Sequence, residues 1–195
     1  GLKKIVIPEG VTEIGDYAFY GCTGLTEVVL PSTLTEIGQY AFQNTGITAI
    51  TLPESLTTIG KGAFQDSALK TITLPAGITA IGNDAFRASA LESVIVNFDL
   101  VANESVNSSG VTTYSANSKI GSAIFADCDK LASVTFNGQF NWVQNSMFLN
   151  DTALTQFTFP EEMKRIDTSA FENTGIKEVV IPEGFYYFNG YAFKG

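Results

Sequence analysis

Leu2-Lys3-Lys4-Ile5-Val6-Ile7-Pro8-Glu9-Gly10-Val11-Thr12-Glu13-Ile14-Gly15-Asp16-Tyr17-Ala18-Phe19 opens the chain, and its apolar skeleton returns along the whole sequence. It comes back as Leu25, Val28, Leu30, Pro31, Leu34, Ile37, Gly38, Ala41 and Phe42. Further copies run from Ile47 to Phe64 and from Leu69 to Phe86. A fifth opens at Leu91, Val94 and Val96 and resumes only at Ile120, Gly121 and Phe125; the last three begin at Leu131, Leu154 and Ile176. The step is 23 residues from Leu2 to Leu25 and 22 from Leu25 to Ile47, and all six prolines share one column. Self-similarity at such a period is the mark of stacked repeats, so it is read before any local propensity.

Within one copy, Ile5 and Ile7 alternate with Lys4 and Val6, the period of a half-buried strand. Pro8 lacks an N–H and ends the ladder. Val11 and Ile14 lie three apart, which fits a tight turn-like segment, and Gly15 permits a positive φ. The next column reads Asp16, Gln39, Lys61, Asn83, Ser122, Asn145, Thr168 and Gly190, mostly helix N-caps, so a short helix presenting Ala18 and Phe19 inward is expected. One copy cannot bury these side chains alone; stacked copies share a continuous core.

The pattern L-x-x-I-x-I-P-x-x-V-T-x-I-G-x-x-A-F resembles the BspA-like (treponemal-type) leucine-rich repeats. The resemblance covers the chain apart from an insertion at 97–119 in repeat five. It implies an α/β repeat fold: a right-handed leucine-rich-repeat solenoid of about eight repeats with a parallel β-sheet on the inner face. It also implies an extracellular or cell-surface protein of host-associated bacteria whose relatives bind matrix proteins or other cells. The expected function is therefore a non-enzymatic binding or adhesion module for a protein or glycan partner, host-derived ones included. A structural spacer displaying other domains is the alternative.

Composition narrows the choice. Eleven Lys and Arg against 20 Asp and Glu give a net charge of −9, which disfavours nucleic acid and simple docking on anionic lipid. No apolar run approaches the roughly 18 residues of a membrane span, so direct membrane insertion is not expected. The absence of His removes Ser-His-Asp and Cys-His catalysis and the commonest transition-metal ligand. No phosphate-binding glycine motif is present. No catalytic residue, metal or cofactor is expected. Cys22 and Cys128 share a column with Thr45, Ser67, Ser89, Asp151 and Thr174, where a small residue packs. They lie four repeats apart, about 19 Å, so no disulfide joins them.

Three features are candidates for partner binding. The strand residues flanking the inward ones form a weakly charged, hydroxyl-rich surface, although β-branched residues suit a sheet face on propensity alone. The insertion, adding about 17 residues, is rich in Asn, Ser, Thr and Val, with Asn107-Ser108-Ser109-Gly110 as a hairpin tip. Loops of this length are functional or disordered, and both remain open. The third is a column that reads Glu13, Glu36, Thr58, Ala80, Lys119, Trp142, Arg165, Tyr187. With Lys164 and Tyr186 from the neighbouring column, Trp142, Arg165 and Tyr187 are expected to form one exposed patch of the residue types enriched in hot spots. Packing against a neighbouring element is the alternative. The pattern runs from Leu2 to Ala192-Phe193 with no polar cap, which reads as a segment of a longer chain or one whose edges self-associate.

Overall fold

A computed structural model of the protein describes residues 1–115, 117 and 119–195. Each copy of the repeat makes one coil with three sides: a first strand, a second short strand and a turn segment. The strands are β1 (Lys4–Val6), β2 (Glu13–Ile14), β3 (Glu27–Val29), β4 (Glu36–Ile37), β5 (Thr58–Ile59), β6 (Thr71–Leu74) and β7 (Ala80–Ile81). They continue as β8 (Ser93–Val96), β9 (Asn103–Val106), β10 (Thr112–Ser115), β11 (Ser133–Phe136), β12 (Trp142–Val143), β13 (Arg165–Ile166) and β14 (Tyr187–Phe188). Among the described residues all ladders between coils are parallel, and only β9 and β10 pair antiparallel. The second strands pair in the order β2-β4-β5-β7, extended by an Ile81–Ile120 bridge, and start again as β12-β13-β14. First strands pair as β1-β3 and as β6-β8-β11.

The strand alternation is as the sequence predicts. Val28, Ile72, Leu74, Val94 and Val96 are buried, while Val6, Val29 and Ile95 face outward. After five of the six prolines the chain folds back through the proline carbonyl: the N–H of Leu56 reaches Pro53 O at 3.0 Å and that of Met163 reaches Pro160 O at 3.0 Å. Proline cannot donate to the ladder but loses nothing as a turn acceptor.

The turn segment departs from the expected short helix; none of the described residues is helical. Its first residue is left-handed in every coil: Tyr17, Tyr40, Gly62, Asp84, Ala123, Ser146, Ser169 and Tyr191 have φ between 54° and 61°. A second left-handed position follows at Gly21, Asn44, Asp66, Ala88, Asp127, Asn150 and Asn173. The reason lies in where the amides go. In a helix they bond four residues back, whereas here alternate amides bond the next coil. Phe42 N–H donates to Ala63 O at 2.8 Å and Asn44 N–H to Gln65 O at 2.9 Å, while Gln43 N–H turns back to Tyr40 O. Left-handed non-glycine residues cost roughly 1 kcal/mol or more each, and the bonds between coils offset that cost. The polar column caps the next coil rather than its own segment: Asp16 Oδ1 accepts Gln39 N–H at 2.6 Å and Asn83 Oδ1 accepts Ser122 N–H at 2.9 Å.

The glycine column is corrected too. Gly15, Gly38, Gly60, Gly82 and Gly121 have no positive φ. From Gly38 onward each lies against the backbone of the preceding coil, where a Cβ on Gly60 would sit 2.6 Å from Gln39 N. Gly15, first in the stack, meets nothing within 4 Å. Gly60→Ala therefore forces adjacent coils apart and costs about 1–3 kcal/mol, as overpacking does. Gly15→Ala is neutral or mildly stabilising, because it lowers only the entropy of the unfolded chain. Thermal melts of the two variants check this; equal melting temperatures would refute it.

Candidate functional site

The column of unlike residues sits where the sequence register puts it. Trp142 pairs with Arg165 and Arg165 with Tyr187 across β12, β13 and β14. Exposure differs from the expectation. Trp142 is only 2% exposed, while Tyr187 and Tyr186 are 43% and 47% exposed. Trp142 thus belongs to the core, Arg165 is mostly covered, and the expected single exposed patch of Trp142, Arg165 and Tyr187 does not form.

The insertion explains this. Its residues 103–115 form a hairpin whose tip is Asn107-Ser108-Ser109-Gly110, with Asn107 Oδ1 accepting the N–H groups of Ser109 and Val111. Its root is pinned where Ala102 N–H donates to Asn141 Oδ1 at 2.8 Å. Its second strand is pinned by Arg165, whose Nη1 donates to Tyr114 O at 2.8 Å. The Tyr114 ring meets Tyr186 edge-on at 5.3 Å. The hairpin from repeat five is thus tied to repeats six, seven and eight.

Beneath it, Asp167 is the hub. This buried carboxylate accepts Trp142 Nε1–H at 2.8 Å and Arg165 Nε–H at 2.6 Å. Its bonds satisfy the two polar groups that the large side chains carry inward. Arg165 also lies over the Tyr187 ring, 5.6 Å from its centroid. Lys164 Nζ donates to Gly184 O at 3.2 Å. Tyr114, Lys164, Tyr186 and Tyr187 thereby gather at one rim, with Arg165 beneath. Sequence reading missed Asp167 and Tyr114. A signal for Asp167 was present: the glycine column becomes Gln144, Asp167 and Asn189 in the same three repeats that carry Trp142, Arg165 and Tyr187.

Cys22 and Cys128 are both free. Cys128 is fully buried, with its sulfur 3.4 Å from Ser89 Oγ, and burial pushes its thiol up to about 12. A thiol held protonated this firmly is a packing group, not a nucleophile. In the next coil Asp151 takes the same column and accepts Cys128 N–H at 2.8 Å through Oδ1; its Oδ2 has no partner among the described residues. Burial, with Asp127 and Asp129 nearby, raises the Asp151 carboxyl to about 9. No group of metal-ligating side chains occurs among the described residues.

Parallel short strands, left-handed turns and a phenylalanine in every coil define a leucine-rich β-solenoid. The chain belongs to the BspA type leucine rich repeat family, whose pattern matches residues 1–109 and 102–195 in six copies. The structure is similar to a leucine-rich repeat protein from Bacteroides ovatus, with a TM-score of 0.75 and 28% identity over 94% of this chain. The chain spans 44% of that protein. A leucine rich cell surface protein from Faecalibacterium prausnitzii is 23% identical over 94% of this chain and 55% of its own, with a TM-score of 0.49. The Treponema pallidum leucine-rich repeat protein is 24% identical over 69% of each chain, with a TM-score of 0.49. No curated protein matches the chain.

Two measurements probe this region. Trp142 is the sole tryptophan, so native emission is blue-shifted and resists acrylamide. Arg165→Ala should lower stability by on the order of 3 kcal/mol, since it leaves a buried carboxylate short of a partner. It should also open Asn107–Gly110 to proteases and increase quenching; an unchanged digest would show that Arg165 does not hold the hairpin. The second concerns pH. Folded Asp151 keeps its proton up to about 9, whereas the unfolded carboxyl loses it near 3.8. Folding therefore takes up a proton between these values, and this group's contribution falls as pH rises through them. Asp151→Asn keeps the acceptor for Cys128 and removes the titration. Its melting temperature should match wild type near pH 4 and exceed it by about 3 °C or more near pH 9, roughly 1 kcal/mol at this length. Parallel pH profiles would contradict it.

Proposed function

We propose that this chain is a non-enzymatic, cell-surface binding module that takes a protein or glycan partner on the rim formed by hairpin β9–β10 and repeats seven and eight. The observation that carries the reading is the hairpin itself. It breaks an otherwise regular repeat, interrupts the second-strand sheet, and is nonetheless anchored at both ends over β12-β13-β14. A bare solenoid needs none of this. The rim offers Tyr186 and Tyr187, 47% and 43% exposed, beside Lys164, with Arg165 fixed by Asp167 and Tyr114 below. Aromatic side chains already held in place lose little freedom on binding, and Tyr and Arg dominate interface energetics. Trp142 contributes as support from within the core.

The competing reading, a spacer array holding other domains apart, draws on the chain's covering 44% of the Bacteroides protein, so that relative extends well beyond the matched segment. The two separate in one experiment. The chain and its Lys164→Ala/Tyr186→Ala/Tyr187→Ala variant are screened against immobilised matrix proteins, mucins and a glycan array. Binding by the parent that falls tenfold or more in the equally stable variant, about 1.4 kcal/mol, is the expected outcome. Failure of the parent to bind any of them favours the spacer, and equal binding by the variant moves the contact surface elsewhere.

A further inference from the structure

We propose that the cleft between repeats six and seven is a second binding site, which takes an extended peptide strand from a partner by strand addition to β11. First strands pair after repeats one, four and five and bridge after repeat three, but among the described residues they do not pair after repeats two, six and seven. β11 pairs with β8 on one side only, and no backbone hydrogen bond joins residues 132–140 to 155–162 among the described residues. The ladder closes again below, where Lys164 N–H reaches Asn141 O at 2.8 Å. The result is a groove of about 910 Å³ running from Ala132 to Asn141.

The cause is legible in side-chain volume. Inward positions that hold Ile, Val or Leu in the first five coils hold Phe136, Phe140, Phe157 and Phe159 here. Phe136 and Phe140 stack at 3.8 Å, and Phe157 sits edge-on to them at 6.2 and 6.0 Å. Three rings do not fit between coils about 4.8 Å apart, so the strands part. Val134 and Phe136 are half-buried although Val94 and Val96, their counterparts one coil earlier, are each 1% exposed. The cleft between repeats two and three lacks this aromatic floor, since Val28 there is buried.

The occupant follows from what the walls lack. Val96 O accepts Asn137 N–H at 2.8 Å, so by strand alternation the peptide groups of Val134 and Phe136 point into the cleft, unpaired. Main-chain groups are what an added strand satisfies, while alternate side chains fill pockets. The half-exposed Val134, Phe136 and Phe157 call for apolar side chains at every second position. Glu162 is the single charged residue lining the groove, at the end its strands run toward, in a chain of net charge −9. The occupant is therefore a peptide of alternating apolar residues, parallel to β11, with a basic residue at its C-terminal end.

The test uses a capped peptide alternating valine and threonine and ending in lysine, added to the full chain. Hydrogen exchange should find the Val134 and Phe136 amides fast in the free protein, beside slow Val94 and Val96, and protected once the peptide binds. N-methylation of alternate peptide amides should weaken binding at least tenfold, and Glu162→Gln by about two- to fivefold, the worth of an exposed ion pair. The Lys164/Tyr186/Tyr187 variant should bind the peptide normally, so failure here and failure of the rim are separate results. Slow Val134 and Phe136 amides in the free monomer would overturn the proposal, as would indifference to N-methylation. Protection that disappears on dilution would also overturn it, because a second copy of the chain would then fill the cleft.

Discussion

The spacing between coils governs this protein, and the phenylalanine column shows what that spacing must accommodate. Phe19, Phe42, Phe64, Phe86, Phe125, Phe148, Phe171 and Phe193 stack in sequence, with centroids 5.2 to 6.0 Å apart. Those separations exceed the spacing of about 4.8 Å that a parallel ladder wants. The turn amides that bond from coil to coil hold the two demands together, and the left-handed residues aim those amides along the axis. Glycine at the second strand is the same constraint seen from the tight side, where adjacent backbones leave no room for a Cβ.

That constraint decides what the amino-acid sequence reveals. Columns repeat faithfully, so the register, the inward phenylalanines and the small-residue column of Cys22 and Cys128 can be read directly. The hairpin tip at Asn107–Gly110 is legible because its turn chemistry is local. The turn segment is not. Tyr17 and Tyr40 are poor left-handed residues, and only the bonds to the next coil, invisible in one copy, place them there. Trp142 fails for a related reason. Its column is exposed at Glu13 and Glu36, and nothing in the column states that a hairpin from repeat five returns across it.

The hairpin and the cleft are two local breaches of one rule. At repeat five the second-strand sheet is cut, yet β6-β8-β11 runs through without interruption. Between repeats six and seven the first strands separate, yet β12 and β13 pair and the turn amides still bond. Insertions and oversized side chains are tolerated where the remaining sides of the coil keep the stack in register. Asp167 illustrates the local accommodation required: once glycine is replaced, a buried carboxylate and its partners Trp142 and Arg165 occupy the space as one polar unit.

A coil joined to its neighbour along one edge and parted along the other behaves as a leaf on a hinge. Bending that closes the aromatic cleft presses Phe157 against the Phe136–Phe140 pair, whereas bending that widens it strains only the intact second-strand and turn bonds. The solenoid is therefore stiffest along repeats four to six, where first strands pair, and more compliant where they part, after repeats two, six and seven. A tensile load carried along such an array would concentrate its extension at those parted junctions.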